Sequence, residues 1–172
     1  KTIQYDGLAR LGDSYLSMRN YSKAKSLYNQ LIQAKAPNQD YALFQQGIIQ
    51  GLQGDKEGKR STLRAVVDKF PNSNYADDVA FEIPYTYFLL GQYDQAISGL
   101  QKMVEQYPRS RYVPRALVTT GLAQYNQDNP AGALLTFTRQ VNTLPTFEEA
   151  TSSLASIENI LQSMKVAHGY KR

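Results

Sequence analysis

Apolar residues recur at steps of three and four along nearly the whole chain, and the pattern itself repeats. Four successive stretches each hold two amphipathic runs of about 15 residues, the period of helices with one buried face. The first carries Leu8, Leu11, Gly12 and Tyr15, then Ala24, Tyr28 and Leu31; the second Leu43 and Gly47, then Leu63 and Val66. The third carries Ala80, Ile83 and Tyr87, then Ala96, Leu100 and Met103; the fourth Leu117 and Gly121, then Ala133, Phe137 and Val141. Each closes on a proline, Pro37, Pro71, Pro108 or Pro145, which cannot continue a helix. The last three prolines are 37 residues apart and the first stands 34 earlier. A fixed period of this size predicts a helical repeat array, not a compact enzyme domain. Nine helices are expected, at about 2–18, 21–35, 38–53, 55–70, 74–90, 93–107, 111–127, 130–143 and 146–163.

Small residues mark where two helices of one stretch approach. Gly12, Gly47 and Gly121 fall in first helices and Ala24, Ala96 and Ala133 in second helices, and the larger Tyr28, Leu63, Leu100 and Phe137 are expected to fill the groove to the next stretch. Pro71 follows Gly47 by 24 residues and Pro145 follows Gly121 by 24; in the third stretch the residue 24 before Pro108 is Pro84. A proline inside a helix costs about 3 kcal/mol and is expected to kink it. The constant internal spacing places the extra residues of the longer stretches in the joints Phe70-Pro71-Asn72-Ser73-Asn74-Tyr75 and Tyr107-Pro108-Arg109-Ser110-Arg111-Tyr112. Ser73 and Ser110 are expected to cap the helices that follow, as Asn129 ahead of Pro130 caps its own.

This pattern resembles the tetratricopeptide repeat over nearly all of the chain. Its most typical part is Gly91-Gln92-Tyr93-Asp94-Gln95-Ala96-Ile97, ending at Tyr107-Pro108. The resemblance implies an all-α, right-handed α-solenoid of about four helix hairpins plus a C-terminal helix. One array is then expected over 1–172, with repeats at about 2–37, 38–71, 72–108 and 109–145, a capping or half-repeat helix at 146–163 and a tail at 164–172. The aromatic-Pro-x-Ser-x-Tyr joint is similar to joints in bacterial cell-envelope repeat proteins, of the outer-membrane assembly lipoprotein and Tol–Pal coordinator type, and in large repeat proteins of Bacteroidetes-type bacteria. A periplasmic or outer-membrane-associated segment of a longer protein is what that similarity implies.

Composition removes several chemistries. With 19 Lys and Arg against 15 Asp and Glu, the net charge of +4 is mild and scattered, unlike the basic stripe of a nucleic-acid binder. The cluster Lys56, Lys59, Arg60, Arg64 and Lys69 reads as a solvated outer face. No cysteine is present, so disulfides and thiolate sites are excluded within these residues. No apolar run approaches a membrane span of about 18 residues. The single histidine, His168, lies in the tail without partners for base or ligand work. The adjacent pairs Asp77-Asp78 and Glu148-Glu149 diverge by about 100° on a helix, so they read as helix-start charges and not as acid–base couples. No Gly-rich phosphate loop or catalytic triad pattern appears. No cofactor and no metal is expected, and the chain reads as a non-enzyme.

Function is then expected in the concave wall that the resemblance assigns to first helices. The groove residues it implies are Tyr41, Phe44, Gln45, Asp78, Phe81, Glu82, Tyr85, Arg115, Tyr125 and Asn126, with Ala9 and Asp13 from the first stretch. Aromatic anchors among a few polar neighbours suit a protein or peptide partner. The same rings also fit packing between helices, which would leave the chain a structural spacer; a peptidoglycan-type glycan is a third reading. Some members of this family grip a C-terminal carboxylate with Lys, Asn and Arg at positions that here hold Ala9, Asp13, Gln45, Asp78 and Glu82. Acids stand where cations are needed, so a partner with basic or neutral groups fits better.

Overall fold

The structure, a computed structural model, describes residues 2–143 and 148–169, with side chains from residue 4 to residue 165. Among the described residues it holds nine α-helices and no strand: α1 Thr2–Ser17, α2 Tyr21–Gln33, α3 Gln39–Leu52, α4 Lys56–Lys69, α5 Ala76–Leu89, α6 Tyr93–Gln106, α7 Val113–Asn126, α8 Pro130–Thr143 and α9 Glu148–Gly169. The all-α helical-repeat fold read from the periodicity is therefore what forms. Pro145 and the last three residues of the tail lie outside the described residues, as does the side chain of His168. α9 continues to Gly169, past the expected end at 163, because Met164 to His168 contains no helix breaker.

The chain divides into two compact units, Lys1–Val79 and Ala80–Arg172. In the first, α1 packs on α2, α2 on α3 and α3 on α4; in the second, α6 packs on α7, α7 on α8, and α9 on both α7 and α8. The first unit buries Ala24, Tyr28, Leu31 and Ile49 in one core and Leu63 and Val66 fully beside it. The second has one cluster around Phe81, Leu100, Met103 and Leu117 and another around Val118, Ala133, Phe137 and Ile160. Each of the large side chains buried here contributes roughly 1.5–3 kcal/mol through apolar burial.

The hairpins share one close approach. A Cβ placed on Gly12 would meet Tyr28 Cε1 at 2.7 Å, one on Gly47 would meet Leu63 Cδ2 at 2.8 Å, and one on Gly121 would meet Phe137 Cε1 at 2.5 Å. In each case the large residue lies 16 positions after the glycine. Between α5 and α6 the arrangement is inverted. Pro84 occupies the glycine position, its ring is buried, and the space comes from the second helix, where a Cβ on Gly99 would stand 2.6 Å from Pro84 Cβ. α5 remains one continuous helix through Pro84.

The hairpin turns are also equivalent. Arg19, Gly54, Gly91 and Asp128 all take positive φ, at 57°, 88°, 71° and 56°. The next residue then donates back to the carbonyl five positions earlier: Asn20 to Tyr15, Asp55 to Gln50, Gln92 to Tyr87 and Asn129 to Gln124, all at 2.8–3.0 Å. This is the left-handed termination of a helix end. Asn20, Asp55 and Asn129 then cap the next helix through their side chains, accepting from Lys23 N, Gly58 N and Gly132 N.

Two expectations are corrected. Ser73 and Ser110 do not cap α5 and α7. Each Oγ instead accepts from the backbone N–H two residues on, Tyr75 at 3.1 Å and Tyr112 at 3.2 Å, inside a turn that delays both helix starts to Ala76 and Val113. The basic cluster of α4 is not uniformly solvated either. Arg64 and Lys69 are exposed, but Lys59 and Arg60 are buried. Lys59 lays its stem across the bare backbone at Gly51, where a Cβ would meet its Cδ at 2.7 Å, and Arg60 pairs with Glu57.

Candidate binding faces

In the first unit the face forms on α1, α3 and the joint that follows α4. Asp13 projects from α1 half-buried, and its Oδ1 accepts two phenol hydrogen bonds, from Tyr28 at 2.6 Å and Tyr41 at 2.5 Å. Gln45 Nε2 donates to the Tyr41 hydroxyl at 2.9 Å, one helical turn along α3. Burial first, then the hydrogen bond to Asp13, pushes the Tyr28 phenol far above its ordinary range. Tyr41 is raised for the same two causes, partly opposed by the Gln45 donor. Both hydroxyls therefore stay protonated donors at physiological pH.

Tyr75, the last residue of its joint, lies against this network. Its ring stacks on Phe44 at 5.4 Å between centroids and 20° between planes, and tilts against Tyr41 at 5.4 Å. Ser73 Oγ fixes the joint by donating to Asp40 Oδ2 at 2.7 Å while accepting from Tyr75 N. Burial, then the negative charges of Asp40, Asp78 and Asp13, raise the Tyr75 phenol. Phe44 is 8% exposed and Asp78 6%, so both sit beneath this face; Tyr41, Gln45 and Tyr75 are half-buried and reach its surface.

In the second unit the face is a run of rings. Phe81, Tyr85 and Phe88 line one side of α5, Phe81 on Tyr85 at 5.4 Å and 17°, Tyr85 on Phe88 at 6.1 Å and 21°. Tyr112, the last residue of the second joint, stacks on Phe81 at 4.8 Å and 11°, and Phe88 meets Tyr93 at 5.9 Å. Phe81 is 0% exposed, which makes it the support for the half-buried Tyr85 and Phe88. Arg115, exposed in the first turn of α7, lays its guanidinium over Tyr85 at 4.8 Å and Phe81 at 5.2 Å. Glu82 is half-buried on α5. At the far end of α7, Asn126 donates to the Tyr93 hydroxyl at 3.2 Å and Tyr125 is 44% exposed. Two cavities flank Tyr125 and Ile160, one of about 380 Å³ reaching Pro130 and Met164, the other of about 220 Å³ reaching Leu122 and Phe137.

Of the residues assigned from sequence to one groove, Tyr41 and Gln45 meet in the first unit, and Phe81, Tyr85 and Arg115 meet in the second. The sequence pattern left Tyr75 and Tyr112 among the joint residues and Asp40 unassigned. A signal for the two tyrosines exists: Tyr75 follows Phe44, and Tyr112 follows Phe81, by the same 31 residues. Among the described residues no helix is long and apolar enough to cross a membrane.

Comparison with known proteins bears on the fold. Two family profiles, both described as tetratricopeptide repeat, match residues 5–38 in one case and 41–73 with 85–110 in the other. No curated protein matches the sequence. Among solved structures, pilF of Pseudomonas aeruginosa is similar at 15% identity, covering 94% of this chain and 69% of that one with a TM-score of 0.75. A tetratricopeptide repeat protein of Parabacteroides merdae is similar at 16% identity, with 92% and 60% covered and a TM-score of 0.73. MamA of Desulfovibrio magneticus is similar at 14% identity, with 94% and 96% covered and a TM-score of 0.68.

Proposed function

We propose, from the premise that this chain belongs to the tetratricopeptide-repeat family, that it is a non-catalytic scaffold that holds a protein or peptide partner against its aromatic faces. Repeats of this family generally mediate protein–protein interactions. The observation that carries the reading is the face of the first unit. Tyr75 stacks on the buried Phe44 and meets Tyr41, Gln45 donates to the Tyr41 hydroxyl, and among the described residues no cation pairs with Asp13 or Asp40 beside them. Half-exposed rings on a rigid floor, with carboxylates at the margin, favour a segment that brings basic or neutral groups.

A periplasmic or outer-membrane-associated place in a bacterial cell envelope is part of this proposal. Its support is the pair of aromatic-Pro-x-Ser-x-Tyr joints at 70–75 and 107–112. The burial of Phe44 and Phe81 favours a second reading, a structural spacer whose rings serve packing alone.

Affinity capture from cells expressing the chain separates the two. Tyr75→Ala is expected to remove the captured partner while the melting temperature stays within a few degrees, because Tyr75 is half-buried and lies outside the helices. Undiminished capture by Tyr75→Ala would sink the first-unit face and leave the spacer reading.

A further inference from the structure

Arg115 stands apart from the other cations of the second unit. Its guanidinium lies over two rings that are nearly parallel to each other, Tyr85 at 4.8 Å and Phe81 at 5.2 Å. Phe81 cannot shift, because it is fully buried with Tyr112 stacked on it at 4.8 Å. The side chain is exposed, and among the described residues no hydrogen bond or ion pair engages its guanidinium. A guanidinium held over rings without a hydrogen-bond partner keeps its donors free and has already lost much of the freedom that binding would remove. Five N–H donors and no acceptor match one kind of group, a planar anion with two oxygens. Beside the guanidinium, Tyr85 and Phe88 continue as a half-buried apolar shelf.

We infer that Arg115 with Tyr85 and Phe88 is a docking site for an acidic side chain, Asp or Glu, next to an apolar residue in a partner polypeptide. The carboxylate takes the guanidinium edge in a two-point contact, and the apolar neighbour rests on Tyr85 and Phe88. The inference rests on the reading of the chain as an interaction scaffold, but it uses the second unit and a charge of the opposite sign. Charge complementarity selects the occupant: the exposed charge at this shelf is a cation, whereas the margin of the first-unit face is acidic.

Blocked dipeptides test it directly. Acetyl-Glu-Phe-amide, acetyl-Gln-Phe-amide and acetyl-Gln-Phe with a free C-terminal carboxylate are titrated into the whole chain, following by NMR the Arg115 Nε–Hε resonance and, in every variant, the backbone amide of residue 115. The Glu peptide is expected to shift both resonances saturably and to bind about tenfold more tightly than the amidated Gln peptide, the worth of one charge-assisted pair. Arg115→Lys keeps the charge but loses the fork, and is expected to weaken the Glu peptide by most of that factor; Arg139→Ala, an exposed cation on α8, is expected to change nothing. Equal binding of the Glu and Gln peptides, or an unaffected Arg115→Lys variant, overturns the site. Equal or tighter binding of the free C-terminal carboxylate overturns its assignment to a side chain. If these results fail while Tyr75→Ala still abolishes partner capture, the scaffold reading stands and this inference alone falls.

Discussion

Asp13 ties three helices with one oxygen. Tyr28 comes to it from α2 and Tyr41 from α3, and both arrive as donors. Burial first, then the hydrogen bond each phenol gives to the carboxylate, is why both resist deprotonation; the second negative charge that ionisation would place against Asp13 adds to this. A phenol raised above its unfolded value of about 10 contributes stability that is complete below about pH 10 and is lost as pH rises toward the folded value. Melting temperature is therefore expected to fall above about pH 10, and Tyr28→Phe to flatten that fall. At neutral pH the same substitution is expected to cost about 1 kcal/mol, the worth of one hydrogen bond. Identical alkaline profiles for the two proteins would disprove the role given to Tyr28. Periodicity could place Tyr28 in a helix–helix groove, since its ring follows the apolar stripe. The direction of its hydroxyl depends on where α1 lies, and no local pattern encodes that.

Helix pairs are where sequence and structure agree best, and the reason is steric. A residue 16 positions after each small one fills the gap it leaves, so the pairing can be read from spacing alone. Joints were less legible. Their serines look like helix caps in isolation, but each closes a turn first, its hydroxyl accepting from the N–H two residues on. The Pro84–Gly99 contact makes a prediction of opposite signs. Alanine favours a helix interior over glycine by up to about 1 kcal/mol. Gly7→Ala in α1 meets nothing within 4 Å and is expected to gain about that much. Gly99→Ala drives a Cβ to 2.6 Å from a rigid buried ring and is expected to lose about 1–3 kcal/mol despite the same propensity gain. Denaturant melts that rank the two variants the other way would refute the inverted packing.

On the scale of the molecule, helices pack on near neighbours in the chain, the condition under which stability is a sum of local terms. Hydrogen exchange should register this within each unit. Leu63→Ala is expected to lower protection first in α3 and α4, and Phe137→Ala first in α7 and α8, each at about 2–5 kcal/mol. Uniform loss over all amides from either substitution would contradict a locally summed core. The binding faces were less legible than the fold for a related reason: a ring on the apolar stripe looks the same whether it is covered or open. Phe81 is covered because Tyr112 returns over it, whereas Tyr85, one turn later, is only half-covered. The inverted hairpin also bears on how such chains can be recombined. Opposite Pro84 stands Gly99, 15 positions later; the residues 15 after Gly12, Gly47 and Gly121 are Leu27, Thr62 and Thr136. None of those second helices offers a bare backbone to a proline ring. α5 cannot be grafted alone into a neighbouring repeat, and a chimera that moves it must carry α6 as well, so in this hairpin the heritable module is the pair and not the helix.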